Sequence, residues 1–137
     1  MTNTAITNLR SLLQSMQPVR HDGVYVYTSV ALESDISPLR FIASFREAEA
    51  ITLIMPEQQA LDAGLAILFR AAWITLTVHS DLQAVGLTAA FAQALADVGI
   101  SCNVVAAVYH DHLFVPLADA EKAMQTLWQL QKSNHES

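Results

Sequence analysis

The chain has 137 residues, 53% of them apolar and 15% charged, with four glycines and four prolines, which is the composition of one compact domain and excludes a disordered chain. Thirteen acids against seven bases leave a net charge of -6, and the bases are scattered from Arg10 to Lys132, so no stripe exists for tracking phosphates and nucleic acid is excluded as a partner. The most membrane-like stretch, Ala63 to Val78, is shorter than the roughly 20 residues a bilayer needs and carries Arg70 near its middle. No basic stretch leads into an apolar block at the N-terminus, and Cys102 is the only cysteine; both fit a cytoplasmic protein with no membrane partner.

Ile6, Leu9, Leu13 and Met16 recur at helical spacing before Pro18 and Gly23, which predicts a helix over residues 4 to 16. Val24 to Val30 reads as a strand and Ser34 to Pro38 as a loop. Phe41 to Phe45 and Ile51 to Met55 read as two strands around the charged turn Arg46 to Glu49, followed by a short helix between Pro56 and Gly64. Residues 65 to 69 are all apolar, where a linker between independent domains would be polar, so the two halves are expected to share a core. Ile74, Leu76 and Val78 alternate with Thr75, Thr77 and His79, a strand whose polar stripe suits an edge or partner-facing position.

After a turn at Ser80 and Asp81, Leu87, Phe91, Leu95 and Val98 mark a helix that Gly99 ends. Val104 to Tyr109 and Leu113 to Val115 then form a hairpin around His110 to His112, and Ala120 to Leu130 the last helix, with Ala123, Leu127 and Leu130 inward. The order predicts an α+β sandwich, built from half-units at residues 1–70 and 71–137. Ile-Thr-Leu occurs in both, at 51 to 53 and 74 to 76, a hint of duplication.

The run from Ser80 to Val104 resembles the first loop, helix and second strand of ACT domains, especially those of aspartokinases. Val85-Gly86 stands at the glycine loop, Leu95-Ala96 and Gly99-Ile100 at the helix end, and Asn103-Val104 at the strand start. The whole chain resembles small bacterial tandem-ACT proteins related to the ACT pairs of the CASTOR arginine sensors, well over residues 73 to 130 and loosely over the first half. The resemblance implies a ferredoxin-like, ACT-like α+β sandwich of two tandem units sharing a core, the N-terminal one with altered topology. It also implies a non-catalytic regulatory module for an amino acid, working as a homodimer and signalling to an effector protein. Where the family commonly has Pro-Gly at the loop, this chain has Val85-Gly86 at the end of a longer approach.

An amino acid presents a carboxylate and an ammonium. The amides of Val85, Gly86 and Leu87, entering a helix, would cradle the carboxylate; Asn103 with the carbonyls near Ser101 and Cys102 would take the ammonium, with Asp81 as a charged supplement and His79 and Ser80 at the same mouth. Taken singly, Gly86 and Gly99 also fit plain helix punctuation, Asn103 and Asp81 a cap or turn, and Cys102 a core filler. His110 and His112 have the spacing to share a metal ion, but two ligands make no site, and paired histidines at a polar turn also fit simple exposure. No phosphate loop, dinucleotide glycine fingerprint, nucleophile elbow or helical His-Glu-x-x-His is present, so neither an enzyme nor a cofactor is expected.

Overall fold

A computed structural model describes the backbone of residues 2–77 and 86–135 and the side chains of 9–77 and 86–133. Twelve elements follow one another: α1 (Thr2–Ser15), β1 (Pro18–Arg20), β2 (Tyr25–Val30), β3 (Ala43–Arg46), β4 (Ile51–Pro56), α2 (Glu57–Asp62), β5 (Phe69–Leu76), α3 (Leu87–Asp97), β6 (Asn103–Ala106), β7 (Asp111–Pro116), a 3-10 turn (Leu117–Asp119) and α4 (Ala120–His135). The fold is α+β with antiparallel hairpins, as expected. Its contacts divide it into two compact units, residues 22–72 and residues 1–21 with 73–137. The expected boundary near residue 70 thus falls inside β5, and the first 21 residues group with the second half of the chain.

In the unit of residues 22–72, β2 pairs antiparallel with β4 and with the start of β5, and β3 pairs with β4 at the edge. Val26, Ile51, Leu53, Met55 and Ala60 form the buried centre. No helix follows β2. Leu32, Ile36, Leu39 and Phe41, from the segment between β2 and β3, pack on that centre instead. Two turns hold the segment, Ser34 N–H to the Ala31 carbonyl and Leu39 N–H to the Ile36 carbonyl, and Asp35 accepts bonds from the amide and hydroxyl of Ser37. This is the altered topology that the resemblance implied.

In the other unit, Leu13 of α1 and Met16 just after it are buried, and β1 lies antiparallel to the second half of β5, Pro18 opposite Leu76 and Arg20 opposite Ile74. β7 is a further neighbour of β5, and β6 is the edge strand beyond it. Phe91, Leu95, Leu113, Val115, Ala123 and Leu127 have no exposed surface, and full burial of a side chain the size of Leu or Phe contributes about 1.5–3 kcal/mol. Two expectations are corrected. Thr75 does not lie on an edge: it is 6% exposed, because β5 has strands to pair with rather than a free flank. The β6–β7 turn closes with the Ala107 amide on the His110 carbonyl, so Asp111 and His112 belong to β7 and not to the turn.

The duplication is real, but Ile-Thr-Leu does not mark it. Ala43 pairs with Ile54 as Asn103 pairs with Phe114, and Arg46 with Ile51 as Ala106 with Asp111, so the two hairpins share one register. Both turns close alike, Glu47 N–H to the Ala50 carbonyl and Ala107 N–H to the His110 carbonyl. Pro56 and Pro116 lead into the following helical turns at ψ 139° and 137°. The counterpart of Ile51–Leu53 is therefore Asp111–Leu113, while Ile74–Leu76 belongs to a different strand of the fold.

Candidate functional site

Helix α3 opens at Gly86, whose φ of 99° lies in the left-handed region that an L side chain rarely adopts. Gly86 has no side chain with which to cap the helix, and its carbonyl accepts the Ala90 amide as the first helical bond. A Cβ at Gly86 would lie 3.2 Å from Leu9 Cδ2, so α1 seats a leucine directly against the residue that opens α3. Leu87 is 2% exposed and belongs to the core, so only its backbone is available to a ligand. At the other end Gly99 and Ile100 return their amides to the Ala96 and Leu95 carbonyls, the punctuation that the sequence offered for Gly99. His79, Ser80, Asp81 and Val85 lie outside the described residues.

Ser101 is exposed and Cys102 half-buried, just before β6. Burial pushes the Cys102 thiol up to about 11, which keeps it protonated at neutral pH. Asn103 Nδ2 donates to the carbonyl of its cross-strand partner Phe114 over a long 3.4 Å.

A second group of polar side chains gathers around β5. His21, just after β1, stacks flat on Trp73, with ring centroids 3.6 Å apart and planes 10° from parallel. Its amide donates to the Trp73 carbonyl and its Nε2 lies 2.7 Å from Thr75 Oγ1. From β7, His112 Nδ1 accepts the Trp73 indole N–H at 3.1 Å and lies 3.0 Å from the same Thr75 hydroxyl. Trp73 also stacks near Phe114, with centroids 6.2 Å apart. Trp73, Thr75, His112 and Phe114 therefore share one sheet face, and Ile74, Leu76, Leu113 and Val115 the other.

An indole N–H can only donate, so His112 Nδ1 is unprotonated. Burial lowers the His112 pKa, His110 and His21 lower it further, and Asp111 partly opposes them. Asp111, 8% exposed where the first hairpin has Ile51, is raised, chiefly by burial and against the pull of His112 and His110. His110 and His112 do not converge: His112 faces Trp73 and Thr75, and the buried Nδ1 of His110 has no hydrogen-bond partner among the described residues. Among those residues no group of three His, Cys, Asp or Glu could hold a metal ion.

Comparison with known proteins decides the family. Residues 4–72 match the ACT domain, and residues 69–129 match a second description of the ACT domain. The chain belongs to the ACT domain family. A Vibrio cholerae protein of unknown function, described as a possible transport protein, is 48% identical over 93% of this chain and 98% of its own, with a TM-score of 0.83. The regulatory subunit of aspartate kinase from Thermus flavus shares the fold at 9% identity and a TM-score of 0.61, over 85% of this chain and 98% of that one. Aspartokinase III of E. coli, solved with aspartate and ADP, is 12% identical with a TM-score of 0.59, over 84% of this chain and 32% of its own. A search of curated proteins finds no match.

ACT domains are typically regulatory modules that bind amino acids, and this chain carries two in tandem. No helix among the described residues is long and apolar enough to cross a membrane. The sequence reading of this ACT pair overlooked His21 and Trp73. The available signal is that Trp73 stands two residues before Thr75 on the same strand face.

Proposed function

We propose that this ACT pair is a cytoplasmic, non-catalytic regulatory module that binds a small amino acid where the chain enters α3. The carboxylate sits on the backbone amides of Val85, Gly86 and Leu87. The ammonium sits among Ser101, Cys102 and Asn103, with His79, Ser80 and Asp81 at the mouth. The observation that carries this reading is the opening of an eleven-residue helix at a left-handed glycine, a residue that brings no capping side chain of its own to the positive end of the helix dipole. The signal passes to an effector protein through altered assembly or a changed surface, which requires the ligand to prefer one of two states.

A second reading is a homodimer built through ACT sheets without any ligand. The edge strand β6 and its turn favour it, with Val105 37%, Val108 66% and Tyr109 71% exposed beside a flank that has no strand partner among the described residues. A thermal-shift screen against the twenty amino acids separates the two. A ligand at 100 times its Kd adds about 2.7 kcal/mol of stability, whereas silence across the panel at millimolar concentration leaves the ligand-free dimer as the surviving reading. Sedimentation reporting only a monomer would then reject the dimer as well.

A further inference from the structure

We propose that His112 is a proton-operated latch: with its Nδ1 unprotonated it holds β1 on β5, and a proton taken up at Nδ1 loosens that strand without unfolding the protein. Two histidines, His21 just after β1 and His112 on β7, meet at the hydroxyl of Thr75 on β5, and Trp73 on β5 joins them through His112. Thr75 Oγ1 lies 2.7 Å from His21 Nε2 and 3.0 Å from His112 Nδ1, and Trp73 Nε1–H reaches the same Nδ1 at 3.1 Å. Only one arrangement of protons satisfies all three distances. Trp73 and Thr75 both donate to Nδ1, and His21 Nε2–H donates to the oxygen of Thr75. The chain of bonds thus runs from His21 through Thr75 to a single acceptor.

A proton at Nδ1 reverses that acceptor. The imidazolium N–H then faces the indole N–H at the distance of the lost bond, and Trp73 is left without its acceptor. The Thr75 oxygen must now accept from His112, and its own proton turns to His21 Nε2, which keeps that contact only if the His21 proton moves to its own Nδ1. Trp73 is also the plate on which His21 stacks, and His21 anchors the end of β1 through its amide to the Trp73 carbonyl. What weakens is therefore the hold on β1, a strand of three residues with Val19 45% exposed. Among the described residues the titratable groups acting on His112 are His110 and Asp111 beside it on β7 and its turn, and His21 from the end of β1. Desolvation and the two histidines favour the neutral ring, so the loosening falls on the acid side of the ordinary histidine value near 6.5.

The test uses the full chain and proton NMR from neutral pH down to about pH 5. The Trp73 indole N–H resonance, told from that of Trp128 with a Trp128→Phe variant, is expected to move upfield as its acceptor is lost, with a midpoint below 6.5. Over the same range, hydrogen-exchange protection of the His21 and Thr77 amides, which bond the Trp73 and Gln17 carbonyls, should fall about tenfold after correction for intrinsic rates, while the β2–β4 amides keep theirs. His112→Asn offers an amide oxygen near the Nδ1 position that takes up no proton, and should hold both signals constant. If that variant does not fold, Thr75→Val serves. It cuts the link to His21, so the indole still titrates while β1 protection no longer follows pH. An indole signal indifferent to pH in the wild type, an unchanged titration in His112→Asn, or an equal loss of protection in β2 and β4 would each overturn the proposal.

Discussion

Gly86→Ala tests how α1 seats on the start of α3. The new Cβ must adopt φ near 99°, which for an L residue costs about 1–2 kcal/mol. It would also stand 3.2 Å from Leu9 Cδ2, inside the 3.5–4.0 Å at which carbon atoms pack, so Leu9 must withdraw by a few tenths of an ångström or change rotamer. The expected destabilisation is about 2–3 kcal/mol. Gly99→Ala is the matched control: its φ is 79°, and a Cβ there meets nothing within 4 Å, so only the backbone cost of about 1–2 kcal/mol applies. The entropy lost by the unfolded chain on Gly→Ala is common to both variants and cancels in their difference. Urea unfolding followed by circular dichroism, with unchanged m-values, reads both numbers. A double-mutant cycle then isolates the contact: in a Leu9→Ala background Gly86→Ala should cost about 0.5–1 kcal/mol less, because the two methyl carbons nearest the new Cβ are gone. Equal costs for the two glycine variants together with a coupling near zero would mean that α1 does not rest on Gly86.

Thr28, 1% exposed, has a hydroxyl with no partner among the described residues, so Thr28→Val should stabilise the protein by about 1 kcal/mol in urea unfolding; a loss of stability would show that the hydroxyl is satisfied after all. Asp111 has a raised pKa in the folded state, so its contribution is fully present below the unfolded value near 3.8 and is lost as pH rises through the folded value. Asp111→Ile, which copies Ile51 of the first hairpin, should therefore gain stability over the wild type with increasing pH, and parallel pH–stability curves would refute this. His112 has the opposite sign: with its folded pKa lowered, its contribution is complete above 6.5 and falls away toward acid, and His112→Asn should flatten that limb. Cys102, raised to about 11 by burial, should react with a thiol reagent at neutral pH far more slowly than in the urea-unfolded chain; equal rates would refute its burial.

Local signals placed most of the elements. The helical spacing through Leu13 and Met16, the glycines and prolines at element ends, and the alternation around Ile74 and Leu76 act over a few residues, and α1, β2, β4, α2, α3 and α4 stand close to where they were expected. The same stretch from Val85 to Asn103 also carried the family. β1 was missed because Pro18–Arg20 has no period of its own: it is a strand only because β5 lies beside it. Gly86 is legible as the start of α3 because a left-handed helix start demands glycine wherever it occurs.

What the sequence determined, then, was an ACT pair with its helices, its hairpins and one glycine-opened helix. The tertiary structure decided that the first 21 residues join the second half of the chain, that the repeat equates Ile51 with Asp111, and that Thr75 is buried. It also brought together His21, Trp73, Thr75 and His112. The physical reason is distance along the chain: Thr75 meets partners 54 and 37 residues away, and only strand pairing closes such loops, whereas hydrophobic period and turn chemistry reach across a few residues.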